Sequence, residues 1–225
     1  MIRVITMTHQ CGSGGTQLAL SMARKFGWEL LDHDLVDRIA RVAGLDLVTA
    51  AEFDAQAARW WRRLRRVGIN PAACCPYVSP RWLDEVDEDS VHALATQLIL
   101  AAADSGECVV VGRGAQCLLR DRPDVFHVFV HAPLEKRVQA LRARWPEHSD
   151  VPGLLRATDS KQAEYIRQYY RRDWLDPRLY DLCVSTSIGL DRADTLINDA
   201  VVFPDNNRTP AGEDEVSLCP ALGPL

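Results

Sequence analysis

The chain has 225 residues, a formal net charge of −5 and an apolar content of 47%. That length suits one α/β domain with an inserted subdomain, or two small domains, and the apolar share is ample for a core. The acidic balance excludes a general basic field for a nucleic-acid duplex, and no apolar run is long enough to span a membrane.

The first strand is expected at about Arg3 to Met7, followed by a Gly-rich turn and a helix from about Thr16 to Phe26 with Leu18, Met22 and Phe26 on one face. Gly27 is a C-cap signal. Trp28-Glu29-Leu30-Leu31 reads as a short second strand ending at Asp32-His33-Asp34. A helix from about Leu35 to Ala43 stops at Gly44, and Asp46 to Leu64 reads as mostly helical, with Trp60-Trp61 and a run of arginines after it. Gly68 to Pro80 carries three prolines and reads as a loop. Val91 to Ala103 is an apolar helix ended by Gly106.

Cys108-Val109-Val110-Val111 is a continuous apolar run, the mark of a strand buried on both faces. Val125 to Val130 is another strand, and Pro133 opens a helix reaching Trp145. After a break at Pro146 to Gly153, a long polar helix runs from about Val151 or Leu154 to Arg172. Leu182 to Ser185 is the last strand and Ala193 to Ala200 the last helix. Strands alternating with helices predict a three-layer α/β fold: a parallel sheet of about five strands with helices on both faces. The domain is expected to span about 1–203, and the tail 204–225, rich in Pro, Asp, Glu and Asn, reads as loosely attached.

Met1 leads straight into a strand, which predicts a cytoplasmic protein. The seven cysteines show neither Cys-x-x-Cys spacing nor a His-rich partner cluster, so neither zinc nor a disulfide framework is expected. Cys108 and Cys183 read as small core hydrophobes, whereas a thiol at Cys11 is placed to be reactive. Arginine greatly outnumbers lysine, and clustered arginines in an acidic chain suit a small anionic ligand.

The densest chemistry lies in Thr8 to Gln17, Thr-His-Gln-Cys-Gly-Ser-Gly-Gly-Thr-Gln. A strand, a Gly-rich turn and a helix form the geometry that binds phosphate, with backbone N–H groups and a helix N-terminus facing the anion. Gly12, Ser13, Gly14, Gly15 and Thr16 are the predicted cradle. Overlaid on the Walker A pattern, Gly15 stands at the lysine, Thr16 at the Ser/Thr and His9 at the first glycine. A tight turn that needs glycine only for positive φ is the plainer alternative.

Ligands of open α/β sheets bind at the carboxyl ends of strands. Three more polar groups follow strands: Asp32-His33-Asp34, Gly112-Arg113-Gly114 and His131. Arg113 can grip a phosphate bidentately, or else cap a turn or pair with Asp32. Asp32 and Asp34 can orient a hydroxyl, act as base or hold Mg²⁺ through water, and Asp34 is equally suited to N-cap a helix. His33 and His131 read as structural. Lys161, Arg167, Arg171 and Arg172, with Arg142, Arg144 and Arg156 around the Pro146 break, suggest two arginine-bearing helices that close on phosphates. A solvated face with local ion pairs is the alternative.

Together, the Gly-Ser-Gly-Gly-Thr loop, the Gly112-Arg113-Gly114 strand end, the Val125-to-Pro133 strand followed by Glu135 and Arg137, and the run from Asp173-Trp174 through Asp176-Pro177 to Tyr180-Asp181-Leu182 resemble the cytidylate-kinase-like family. This is a divergent branch of the P-loop nucleoside monophosphate kinases, and the likeness covers roughly residues 2–200. It implies a five-stranded parallel core, a helical NMP-binding insertion at about 46–90 and a lid at about 142–172. It also implies ATP with Mg²⁺ as phosphoryl donor. By position, Gly12 to Thr16 would hold donor phosphates, Thr16 would approach Mg²⁺, and Asp32 and Arg113 would face the acceptor. Lys161, Arg171 and Arg172 would belong to the lid, Lys161 standing where an arginine is common. Members often carry Arg-Glu-Tyr before the glycines, where this chain has His9, Gln10 and Cys11.

The function this implies is transfer of the ATP γ-phosphoryl to a nucleoside monophosphate or similar small acceptor. The missing loop cation keeps open a catalytically reduced nucleotide-binding sensor, and the insertion from Asp46 to Ser90, with no residue pattern that names a base, keeps open a kinase of a non-nucleotide metabolite. No membrane or duplex partner is expected.

Overall fold

The computed structural model describes residues 1–32 and 88–203. The expectations for His33, Asp34, the insertion at about 46–90 and the tail 204–225 lie largely outside these residues. Five strands, β1 (Val4–His9), β2 (Glu29–Leu31), β3 (Cys108–Val111), β4 (Val125–His131) and β5 (Leu182–Ser185), form one sheet in the order β2-β3-β1-β4-β5. Every pairing is parallel. The fold is the predicted α/β sandwich.

Helices α1 (Gly15–Phe26) and α6 (Leu190–Val202) cover one face. Leu18, Ala19, Met22, Ala193 and Ile197 pack there on Ile5, Met7, Val109, Val111, Val128 and Val130. On the other face, α2 (Glu88–Ser105) and the four-residue α3 (Ala115–Leu118) lie over Val4, Leu31, Cys108, Val110 and Val125. All four residues of β3 are therefore buried, which is why that strand is apolar throughout instead of alternating. Two further helices, α4 (Leu134–Arg144) and α5 (Val151–Tyr170), follow β4. Ile166 and Trp174 extend the second core onto Phe129.

Local chemistry sets the helix limits. Gly27 adopts φ 67° and its N–H caps the carbonyls of Ala23 and Arg24. Asp150 accepts from the Gly153 N–H at 2.8 Å and opens α5. Arg171, rather than Arg172, marks that helix's end, as its left-handed C-cap. Cys183 departs from the sequence expectation: it is exposed on edge strand β5, whereas Cys108 is buried.

Opposite the carboxyl ends of the strands, Arg122 ties α2 to the start of β4. It donates to Asp104 at 2.6 Å, to Asp124 at 3.1 and 3.0 Å and to the Ala103 carbonyl at 3.1 Å. Its hydrogen bonds hold the Asp124 carboxyl below the usual aspartate range. Since the unfolded value is near 3.9, this stabilisation is complete above about pH 4 and is lost as pH falls through the native value. Arg122→Ala should cost about 1–2 kcal/mol near neutrality. Melting between pH 5 and 2.5 should show a shallower acid loss in Asp124→Asn than in the parent. Parallel acid slopes in the two proteins would refute the assignment.

Candidate active site

β1 lies between β3 and β4, so the chain reverses its direction of progress across the sheet there, and the loop after β1 opens at that switch point. Strand register brings the other predicted groups to the same edge. Leu31 pairs with Val110 and Met7 with Val111, so Asp32 and the Gly112–Gly114 turn flank the end of β1 on one side. His9 pairs with Val130, placing His131 on the other. His131 stacks on Phe129 with ring centroids 6.0 Å apart, in keeping with a structural part.

The loop from Gln10 to Gly14 is held by its neighbours. Gln10 N–H donates to the Val130 carbonyl at 3.0 Å, and Ser13 N–H to the Gln10 carbonyl at 3.1 Å. Thr186 Oγ1 donates to the Ser13 carbonyl at 2.8 Å. Gly12 and Gly14 adopt φ 76° and 86°, and a Cβ on Gly14 would fall 2.6 Å from Leu190 Cδ2. Among the described residues, the N–H groups of Gly12, Gly14, Gly15 and Thr16 have no hydrogen-bond partner. Four such donors at the head of α1 have the geometry that suits an anion.

His9 fills the space beside Gly15. A Cβ on Gly15 would overlap the Cβ and Cγ of His9 and stand 2.6 Å from its Cδ2. The imidazole thus lies across the position where the Walker side chain would start. Its Nδ1 faces the Gln10 carbonyl at 3.2 Å and its Nε2 faces Thr16 Oγ1 at 3.2 Å. A carbonyl only accepts, so Nδ1 carries the proton. In the neutral ring Nε2 then accepts the Thr16 hydroxyl proton, which leaves lone pairs on Thr16 oxygen for a cation. That donor chemistry fits Mg²⁺, and the free N–H groups fit the phosphates it would accompany.

Two residues that sequence reasoning did not place in the site stand against the loop. Arg137 Nη1 donates to Asp159 Oδ2 at 2.6 Å and to the Cys11 carbonyl at 3.2 Å, and Asp159 Oδ1 accepts from the Cys11 N–H at 2.9 Å. A signal was present. Arg137 shares a face of α4 with Leu134, Val138 and Leu141, and Asp159 follows Leu155 by one turn of α5, so both are charges on apolar stripes.

Cys11 packs with Leu141, Val151 and Leu155. Burial, reinforced by Asp159, pushes its thiol up, so the reactive cysteine expected from sequence is an unactivated anchor.

After β3, Gly112, Arg113 and Gly114 adopt φ 72°, 55° and 75°, three left-handed residues in succession. A Cβ on Gly114 would overlap the Tyr170 ring, and Tyr170 Oη donates to the Arg113 carbonyl at 3.2 Å. His92 joins α2 to this end of α5: it stacks on Tyr169 at 3.8 Å between centroids and bonds Tyr165 Oη through Nδ1 at 2.7 Å. Burial lowers the His92 pKa; Asp89 opposes the shift, and the nearby Arg113 charge adds to it. Burial pushes Cys117 up to about 11 against the opposing pull of Arg172 and Arg120, which places Arg172 on this side of the molecule. Arg171 and Arg172 are exposed, as is Lys161 midway along α5. The structure therefore groups Gly12 to Thr16, Asp32 and Arg113 at one sheet edge. It puts Arg172 near the last of these and leaves Lys161 on the solvent face.

The model of the cytidylate kinase-like family matches residues 4–188. This chain belongs to the cytidylate kinase-like family. Among solved structures, an uncharacterized protein from Eubacterium ventriosum aligns over 90% of this chain and 99% of its own, with TM-score 0.65 and 19% identity, a likeness that speaks for the fold. Shikimate kinase from Bacteroides thetaiotaomicron gives TM-score 0.49 at 14% identity over 89% of this chain and 98% of its own. Shikimate kinase from Acinetobacter baumannii gives 0.47 at 14% over 90% and 94%. No match was found among curated proteins. No helix among the described residues is long and apolar enough to cross a membrane.

Proposed function

We propose that the protein is an ATP-dependent phosphotransferase acting on a nucleoside monophosphate or a similar small phosphorylated acceptor. The observation that carries this reading is the set of N–H groups of Gly12, Gly14, Gly15 and Thr16, unengaged among the described residues, at a sheet edge that also bears Asp32 and Arg113. Family membership supports it.

In this reading the loop holds donor phosphates by backbone donors and the α1 dipole, and Thr16 Oγ1 offers lone pairs to Mg²⁺. The metal, when bound, supplies charge neutralisation between donor phosphates. Arg113 grips the acceptor phosphate and Asp32 orients the acceptor. Residues 142–172 form the lid, with Arg171, Arg172 and Lys161 supplying cations on closure. The exposure of Lys161 makes its part depend on that movement. Catalysis is then positioning and electrostatics, with no covalent step through the protein.

The second reading, a nucleotide-binding sensor with reduced catalysis, is favoured by one observation: His9 closes off the lysine position at Gly15. A panel of nucleoside monophosphates with Mg²⁺ and ATP, followed by ATP consumption and by calorimetry, separates them. Turnover with any member supports the kinase. Binding without turnover on the panel supports the sensor or a kinase of a non-nucleotide metabolite, and absence of binding refutes the phosphate-loop reading.

A further inference from the structure

We propose that Asp159 and Arg137 are positioning residues for the phosphate loop, making loop geometry depend on the docking of helix α5. The inference rests on the phosphate-loop reading above. One carboxylate performs two tasks. Its Oδ1 accepts from the Cys11 N–H at 2.9 Å, and its Oδ2 accepts from Arg137 Nη1 at 2.6 Å. The same Nη1 donates to the Cys11 carbonyl at 3.2 Å. Both polar groups of residue 11 are thereby fixed by side chains from two other helices.

The surroundings leave little freedom. The Arg137 side chain is 9% exposed and that of Asp159 17%. A Cβ on Gly12 would meet the Arg137 carbonyl oxygen at 3.1 Å and Leu141 Cγ at 3.3 Å, so α4 lies directly against the loop. Among the described residues, Arg137 Nε is buried without a hydrogen-bond partner, while Nη1 makes the contacts to Cys11 and Asp159.

A buried ion pair is by itself weak support for stability. Its placement is what suggests function. Asp159 touches the loop that follows β1, while Tyr170, eleven residues later on the same helix, touches the turn that follows β3. The two contact points lie about 16 Å apart along the helix axis. A single rigid helix therefore spans the proposed donor and acceptor sides, and a shift of α5 is transmitted to Cys11 through the carboxylate. The N–H groups next in sequence, from Gly12 onward, are the ones offered to the anion.

The test uses the full chain and reads amide exchange at Cys11 by NMR, together with Mg-ATP affinity by calorimetry. Asp159→Ala should speed Cys11 exchange and weaken Mg-ATP binding by about tenfold each, leaving β4 amide protection unchanged. Asp159→Asn keeps an acceptor for the Cys11 N–H and should show the smaller loss. Arg137→Lys ends one bond short of Nη1, the single nitrogen that makes both contacts, and should also weaken binding. A merely structural pair would lower the melting temperature while the folded fraction kept its affinity and its Cys11 exchange rate, and that result would overturn the proposal. If Asp159→Ala does not fold, Asp159→Asn and Arg137→Lys decide in the same way. If the unsubstituted protein binds no nucleotide, the phosphate-loop reading fails. The Cys11 exchange comparison then still tests the coupling by itself: faster exchange in the variants supports it, and unchanged exchange refutes it.

Discussion

Gly15→Ala should abolish measurable nucleotide binding, weakening it by at least about a hundredfold, and should destabilise the fold by about 1–3 kcal/mol. The cause is space and not backbone conformation, because Gly15 lacks the positive φ of Gly12 and Gly14. A methyl group there overlaps His9 Cβ and Cγ, and neither atom sits at the movable end of a side chain. The imidazole has to leave, and its contacts to Thr16 Oγ1 and the Gln10 carbonyl go with it. Thr16 and Gly15 are two of the four residues whose N–H groups the proposed function gives to the anion, so the damage falls on that proposed site. Calorimetry with Mg-ATP and thermal melting measure both effects.

The same geometry makes His9 and Gly15 a matched pair. Gly15→Lys restores the Walker lysine in name only, since lysine carries the same offending Cβ. It should fail as Gly15→Ala does. Combined with His9→Gly, which clears the ring, it should recover binding. Undiminished affinity in Gly15→Ala alone would sink this account, and so would failure of the pair to improve on Gly15→Lys alone.

The fold was legible because its signals are short-range. Val109 to Val111, buried throughout, announced an interior parallel strand, and Gly27 marked the end of α1 through its left-handed cap. The loop was legible for the same reason: strand, glycines and helix are contiguous. Helix α3 was missed because its four residues are too few to show a period. The Arg137–Asp159 pair was missed because its partners lie 22 residues apart and meet only when α4 and α5 pack. Cys183 was misread because an apolar run on an edge strand looks like one in the interior. Its neighbour Val184 is buried while Cys183 faces out. Chemistry within one turn of chain was readable, whereas chemistry made by packing distant helices required the structure.

Arg113 offers the sharper separation of function from stability. Arg113→Ala should lower turnover by roughly a hundredfold to a thousandfold while the protein stays folded. Its backbone anchor survives any substitution, because Tyr170 Oη donates to the carbonyl of residue 113 and not to the guanidinium. Arg113→Gly goes further. Residue 113 sits at φ 55° between two left-handed glycines, a conformation that disfavours a side-chain-bearing residue by about 1–2 kcal/mol. Glycine relieves that strain, so this variant should melt higher than the parent while turning over as poorly as Arg113→Ala. Backbone strain of this kind concentrates at functional sites, which is the motive for testing the side chain. A readout independent of activity checks where the guanidinium lies. Its charge helps to lower the His92 pKa, so His92 should titrate at higher pH in both variants, followed by NMR. Unchanged turnover in Arg113→Ala would remove the arginine from the reaction. A lower melting temperature in Arg113→Gly would show that its side chain is retained for packing and pairing instead.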